Sequence, residues 1–532
     1  MRSPLASTRP RSRIPLAWWQ GSTSMERAFR VAVVVCFAFG LAARLWIFTG
    51  GLGELNADEA VMGLMAMHFL EGEWSTFYWG QAYGGTLEVI LLAPVVAVLG
   101  ATRTALQVVP FIQSVAATAL VWAVARRVVE RQGAITAAAL FWSFPAAFVW
   151  WQTRQSLLYL SVIVLGLIIV LCAQRIEEDP NLKLDWFVLG LAAGLGFWTS
   201  PQIVYFALPV AVWLLIKLPS SAVRVGWLVI PAFLLGASPW LITNIAKGWP
   251  SIMSLPLISD GPVARLWSWA SGGLPLALGL KVPFTEEWLW PYIGPALYVV
   301  ALGALTVALL LRLPPRAIHV GLLFAFPILF TLIPASASVG RGRYFFFLAP
   351  PIAVALASLP QGTRGRIILM AIATGLTALG LFQVRNVSVS FVPPVEPLVE
   401  VLDREGVDNV VAGYWVAYKL TWETEERILA SPVDSNRYPP YMEEIRRAER
   451  VAYVYNLSEQ SQKDNAEAMR ITLNERGLAY EEIPAKGYAV IIPDEVVTPE
   501  EVPGSAIPNT VAPVGASRRS RLLVGKLLWA LL

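Results

Sequence analysis

From residue 31 to residue 384 the sequence is a series of apolar runs, at 31–49, 105–125, 134–151, 157–173, 186–216, 225–245, 292–311, 320–339, 344–359 and 367–384, all of them uncharged except the first, which holds Arg44. A helix crossing the roughly 30 Å hydrocarbon core of a bilayer needs about 20 such residues, so nearly every run is near the length of one span. The exception, 186–216, is too long for one untilted helix, and Pro201-Gln202 at its middle favours a tight hairpin of two short helices. With 56% of 532 residues hydrophobic, 15% charged and 22 tryptophans, the chain has more apolar surface than one soluble core could hide. The mean hydropathy of +0.58 says the same. The fold class that follows is an all-α polytopic membrane protein with about 11 transmembrane helices.

Basic residues set the expected orientation. Arg126, Arg127 and Arg131, Arg175 with Lys183, Lys217 with Arg224, Arg312 with Arg316, and Arg364 with Arg366 lie between the runs. All fall on the cytoplasmic side if the N-terminus is inside and 88–100 is a juxtamembrane or re-entrant helix that does not cross. This parity puts the loop 50–104, Arg154, the loop 243–291 and Arg341-Gly342-Arg343 on the outer face of the cell inner (plasma) membrane. Residues 1–30, rich in Arg, Ser and Pro, read as a disordered basic cytoplasmic N-terminus. The run 31–49 is expected to be the first span rather than a signal peptide, because it continues through Leu45-Trp46-Ile47-Phe48 and no soluble domain follows. Arg44 inside it is expected to snorkel to the headgroups or meet a lipid phosphate. The formal charge of +4 is small for this length, which fits basic loops facing membrane lipids and argues against a nucleic-acid partner. Cys36 and Cys172 both sit in apolar runs and offer neither a disulfide framework nor a Cys-rich metal site.

Past residue 391 the pattern changes. Helical spacing at 396–406, strands at 409–414 and 450–455, an amphipathic helix at 463–476 and a strand at 488–493 indicate a small extracytoplasmic α/β domain, 391–496. A linker and a basic, apolar tail too short to span occupy 497–532. In the long outer loop 243–291, Trp249, Trp267, Trp269, Trp288 and Trp290 suit a lid lying in the membrane interface.

The candidate chemistry lies in the first outer loop. Residues 50–104 carry six acidic residues, one arginine and no lysine, and Asp58 and Glu59 are adjacent. Acid at a bilayer face with so little neutralisation suggests catalysis, while a helix N-terminus capped by Asn56 or Asp58 explains the pair equally well. There is no Walker-type loop, GxGxxG motif, HExxH motif or Ser/His/Asp set.

The loop with Asp58-Glu59 continues through Glu71-Gly72-Glu73-Trp74 and Phe77-Tyr78-Trp79-Gly80-Gln81-Ala82-Tyr83-Gly84-Gly85-Thr86-Leu87-Glu88 to a non-crossing helix. With Arg343-Tyr344 and Pro350-Pro351, this resembles the GT-C class of membrane glycosyltransferases over residues 31–385. Within that class it is most similar to the branch of protein mannosyltransferases, aminoarabinose transferases and bacterial relatives that use polyprenyl-phosphate sugars. The resemblance implies a GT-C-like module with juxtamembrane helices in its first outer loop, and inverting transfer of a sugar from a polyprenyl phosphate to a hydroxyl of a lipid, glycan or protein acceptor. On that reading Asp58 is the base and Glu59 orients the acceptor or a neighbour. Arg154, Arg343 and Tyr344 face the leaving phosphate. Gln81, Tyr83 and Glu88 hold sugar hydroxyls and Trp79 packs on the sugar. The outer loop containing Gln152-Thr153-Arg154-Gln155 lacks the second acid common in relatives, which leaves a divalent metal possible and undecided. His68 reads as packing or capping, and Tyr414-Trp415 and Tyr438-Pro439-Pro440-Tyr441 as acceptor contacts or core. The competing reading is a non-catalytic scaffold or lipid-linked-sugar flippase with an outer recognition domain.

Overall fold

The structure, a computed structural model, describes residues 24–155, 158–253, 260–285, 287–313, 318–333 and 342–505. Most of the expected disordered N-terminus, the C-terminal tail, Arg316 and Arg341 therefore lie outside the described residues. Where described, each apolar run is helical. Helix α1 spans Ser24–Thr49, so residues 24–30 are helix where disorder was expected. In the first loop, α2 spans Ala57–Leu70 and α3 spans Leu87–Leu99. Then follow α4 (Arg103–Ala125), α5 (Arg131–Ser143), α6 (Ala146–Trp151), α7 (Tyr159–Glu178), α8 (Lys183–Thr199) and α9 (Val204–Lys217).

Among the described residues five helices are long and apolar enough to cross a membrane: α1, α4, α7, Gly294–Arg312 and Thr363–Gln383. The pair Gly226–Gly236 and Ser238–Lys247, bent by 60°, makes a sixth if counted as one span. The chain is thus a multi-pass membrane protein, but eleven full-length spans are not what the helix lengths give. Several of the other runs form helices shorter than a full span, and proline breaks two of the runs. Pro145 separates α5 from α6 and Pro201 separates α8 from α9, because a proline lacks the amide that would continue the ladder. The long loop 243–291 is also broken into short helices, at Pro250–Met253, Pro262–Ser268 and Leu274–Ala277.

Small residues let the helices meet closely. A Cβ on Gly194 would lie 2.1 Å from the Phe233 carbonyl, so α8 packs backbone to backbone against the Val229–Gly236 helix. Polar groups in the module are paired inward. Arg44 is 3% exposed and donates to the carbonyls of Gly40 (2.9 Å) and Trp142 (2.8 Å) and to Gln152 Oε1 (2.5 Å). Its expected reach to the headgroups is therefore corrected: satisfied acceptors inside the bundle hold the guanidinium more favourably than a snorkelling rotamer.

The C-terminal domain is a five-stranded sheet of β1 (Asn409–Ala412), β2 (Leu429–Ser431), β3 (Ala452–Asn456), β4 (Tyr480–Ala485) and β5 (Tyr488–Pro493). The order is β2-β1-β3-β5-β4, with β1 parallel to β2 and β3 and with β5 antiparallel to β3 and β4. The Tyr414–Glu423 helix connects β1 to β2 and lies on α2 of the membrane module. A Cβ on Gly63 would come 2.4 Å from the Trp422 ring, so glycine there is what lets the two helices touch. Gly63→Leu is expected to weaken this docking by about 1–3 kcal/mol. Limited proteolysis of the detergent-solubilised protein should show faster cleavage between module and domain. Combining it with Trp422→Ala should cost less than the sum of the two changes.

Candidate active site

The N-terminus of α2 carries both loop acids, and they do different work. Asn56 is the N-cap: its Oδ1 accepts from the Glu59 amide at 3.1 Å, and the Glu59 carboxylate accepts from the Asn56 amide at 3.2 Å. The capping explanation therefore applies to Glu59. That same carboxylate takes a two-pronged pair from Arg154, with Nε donating to Oε1 at 2.8 Å and Nη2 to Oε2. Arg154 also donates to the Glu54 carbonyl at 2.6 Å and lies against the Trp150 ring. Arg154 is 2% exposed and Glu59 5%, so each charge is consumed by the other.

Asp58, half-buried, is left facing a cavity of about 660 Å³ between the membrane module and the α/β domain. Glu59, Gln81, Tyr83, Arg154 and Arg343 line it from the module, and Tyr414 and Arg437 from the domain. Asp58 Oδ1 accepts from the Tyr414 hydroxyl at 2.6 Å, and the Tyr78 hydroxyl donates to the Asp58 backbone carbonyl at 3.1 Å. Burial, and after it the Asp58 charge, holds the Tyr414 phenol above its usual range, so the phenol is the donor in this pair.

Arg343 opens a 3₁₀ turn at Gly342–Leu348. Its guanidinium lies 5.9 Å from the Tyr159 ring and 5.3 Å from the Tyr344 ring, and its Nε has no partner. Arg437 lies 5.7 Å from the Tyr78 ring and 5.5 Å from the Tyr414 ring, also with an unpartnered Nε. Among the described residues neither guanidinium is within ion-pair distance of a carboxylate, while the Asp58 charge acts on both.

Six of the nine residues named from the sequence thus share one cavity: Asp58, Glu59, Gln81, Tyr83, Arg154 and Arg343. Tyr344 lies behind the wall, its ring 6.2 Å from that of Tyr159. Glu88 is also behind the wall rather than on it. It is 1% exposed and accepts from Ser161 at 2.6 Å and from Gln113 at 3.0 Å, which ties α3 to α4 and α7. Trp79 stacks on Tyr438 at 4.1 Å, so its face is covered by the domain. Arg437 was missed because no motif surrounds Asp434-Ser435-Asn436-Arg437; only the fold brings it to Asp58. Among the described residues no group of three or more His, Cys, Asp or Glu side chains converges, and the Glu59 carboxylate is paired with Arg154.

A second polar cluster joins module to domain. His68, at the other end of α2, is bracketed by Glu73 at Nδ1 (2.6 Å) and by Glu426 of the domain at Nε2 (2.7 Å). The Tyr438 hydroxyl donates to Glu73 at 2.8 Å and that of Tyr441 to Glu426. Burial pulls the imidazole down, but the hydrogen bonds and charges of Glu426 and Glu73 outweigh it and raise its pKa to about 9. Desolvation pushes both carboxyls up, but the imidazole and the phenols hold them, exposed Glu73 and half-buried Glu426, below their usual range.

Residues 89–243 match the family of dolichyl-phosphate-mannose-protein mannosyltransferases. The fold is similar to that of ArnT from Cupriavidus metallidurans bound to undecaprenyl phosphate, with TM-score 0.57, 12% identity, and 88% of this chain and 98% of that one covered. The apo state of the same protein gives 0.56 at 11% identity, with the same coverage. The oligosaccharyltransferase of Archaeoglobus fulgidus gives 0.49 at 13% identity, over 86% of this chain and 72% of that one. No curated protein matches the chain. The GT-C resemblance read from the first loop and from Arg343-Tyr344 is borne out by the mannosyltransferase match and the ArnT fold.

The His68 cluster carries a signed pH dependence. A folded pKa raised from 6.5 to about 9 stabilises the docked state fully below pH 6.5, and this contribution fades as pH rises through 9. The lowered Glu73 and Glu426 contribute above their ordinary range and fail only in acid. The unfolding temperature should therefore fall between pH 6.5 and 9, and His68→Gln should flatten that slope.

Proposed function

We propose that the chain is an inverting glycosyltransferase that moves a sugar from a polyprenyl-phosphate donor to an acceptor hydroxyl at the extracytoplasmic face of the membrane. One observation carries the reading. Among the described residues Asp58 has no ion-pair partner, and it shares a cavity with two guanidinium groups that lack carboxylate partners. The undecaprenyl phosphate bound by ArnT, a protein of this fold, supports a lipid phosphate as the group those guanidiniums receive.

In the proposed reaction the acceptor oxygen attacks C1 as Asp58 removes its proton. The bond from C1 to the phosphate oxygen breaks, and polyprenyl phosphate leaves with the bonding electrons. Arg343 and Arg437 meet the charge that builds on the phosphate; such charge-assisted contacts act most strongly where water is excluded. Tyr414 fixes the Asp58 carboxylate through one oxygen and leaves the other for the acceptor. Gln81 and Tyr83 hold sugar hydroxyls. Glu59 positions rather than reacts: it starts α2 and holds Arg154, so Arg154 acts through that pair and not as a free phosphate ligand.

Asp58→Asn keeps size and removes the base. It should lower kcat by about 10²–10⁴ with the fold intact, measured as release of undecaprenyl phosphate from its sugar ester. Turnover at the parent rate would sink the assignment, and absence of turnover in the parent itself would favour a scaffold or flippase. Arg343→Ala should weaken undecaprenyl phosphate binding by roughly 10- to 100-fold. Glu59→Gln should instead lower the unfolding temperature, since removing one partner of a buried pair costs about 3–5 kcal/mol.

A further inference from the structure

We propose that the cavity extends into the α/β domain as an acceptor subsite for a saccharide, built at the carboxyl ends of β1, β2 and β3. The proposal rests on the sugar-transfer reading and names its acceptor class. In the order β2-β1-β3 the three strands are parallel, and the chain leaves β1 toward β2 while β3 lies on the opposite side. Connections diverge at such a point and open a crevice at the strand ends, which is where ligands of α/β sheets bind. Gly413 after β1, Asp434 and Ser435 after β2, and Asn456 ending β3 line the same cavity as Asp58, together with Glu459 and Gln462.

A smaller recess of about 30 Å³ is lined by Gly413, Asp434 and Gln462 as well, and by Tyr455 on β3. Tyr455 is only 5% exposed, and its hydroxyl has no hydrogen-bond partner among the described residues. A buried hydroxyl is rarely left so unless a ligand or water completes it. Asp434, Ser435 and Gln462 likewise make no side-chain hydrogen bond to a described residue. Gln462 packs closely on Gly413 at the strand end, where a Cβ would come 3.2 Å from Gln462 Nε2.

The mixture is one that sugar hydroxyls match. Carboxylate and amide oxygens accept, while amide and hydroxyl hydrogens donate. Half-buried Trp415, also on the wall, packs on Phe391 with ring centroids 4.6 Å apart, and the pair supplies apolar surface beside these polar groups. Asp434 and Glu459 disfavour a phosphate at this end. A peptide bound by strand addition would pair with a sheet edge, and the edges are β2 and β4, whereas the cavity meets strand ends.

The test uses the full chain in nanodiscs without donor, with neutral tetrasaccharides of glucose, galactose, mannose and arabinose as probes and saturation-transfer NMR as the readout. At least one tetrasaccharide should bind. Gln462→Ala and Asp434→Ala should each weaken it about tenfold, and Tyr455→Phe should weaken it in the same direction, with undecaprenyl phosphate affinity and unfolding temperature as in the parent. Absence of saccharide binding, equal binding by all variants, or displacement only by a serine-containing peptide would overturn the proposal. Because no donor is present, this failure is separable from failure of the transfer reading. Saccharide binding without any turnover would sink the transfer reading, and turnover without saccharide binding would sink the subsite.

Discussion

The site depends on the buried pair between Glu59 and Arg154. One carboxylate closes the capping box that starts α2 and receives both prongs of a guanidinium delivered from just past α6, 95 residues later in the chain. Two charges at 5% and 2% exposure are tolerable only because each is saturated by the other and by backbone groups. The consequence falls on the neighbouring residue. With Glu59 turned inward to Arg154, Asp58 is turned to the cavity, and adjacent acids acquire opposite fates from one turn of helix.

The helix so fixed carries the domain as well as the acid. Gly63 admits Trp422, and His68 binds Glu426, so α2 meets the Tyr414–Glu423 helix and its following turn along much of its length. That contact brings Tyr414 to Asp58. The cavity is therefore composite. Its module half holds Asp58, Arg154 and Arg343, its domain half holds Tyr414, Arg437 and the strand ends, and neither half is a site without the other.

What the sequence made legible follows from the range of the forces involved. Apolar runs, the proline break at Pro201, the strand cores at 409–412, 452–456 and 488–493 and the amphipathic helix ending at Arg476 are local patterns and were readable. The two short or polar strands were not: β2 has three residues, and β4 begins with Tyr480-Glu481-Glu482, which shows no apolar alternation. Helix Tyr414–Glu423 was hidden because its first residues, Tyr414-Trp415-Val416, are strand formers by composition. In the site, Asp58 drew attention as acid beside an apolar run with little neutralisation, while Arg154 and Arg343 could be proposed because the GT-C resemblance implies guanidinium groups at a leaving phosphate. Glu88 and Trp79 misled for the complementary reason: their chemistry suits sugar binding, and only packing shows that Gln113, Ser161 and Tyr438 already occupy it. Arg437 and the Glu426 partner of His68 come from 300 residues or more downstream, a separation no local pattern spans.

The placement of charge also bears on which end of the cavity would serve which substrate. The Asp58 charge acts on both Arg343 and Arg437, and among the described residues each keeps an Nε without a partner, a condition that an incoming anion would relieve. Asp434 and Glu459 stand toward the strand ends, where a phosphate would be repelled and a hydroxyl accepted. In the proposed reaction the guanidiniums would draw the donor phosphate, and the acidic side chains that line the same cavity would accept from acceptor hydroxyls. Asp58 stands close enough to Arg343 and Arg437 for its charge to act on both, and in the proposed reaction the acceptor oxygen would surrender its proton there as the phosphate departs. On the proposed reading, the single acid that escaped the Arg154 pair is the one residue able to serve both substrates at once.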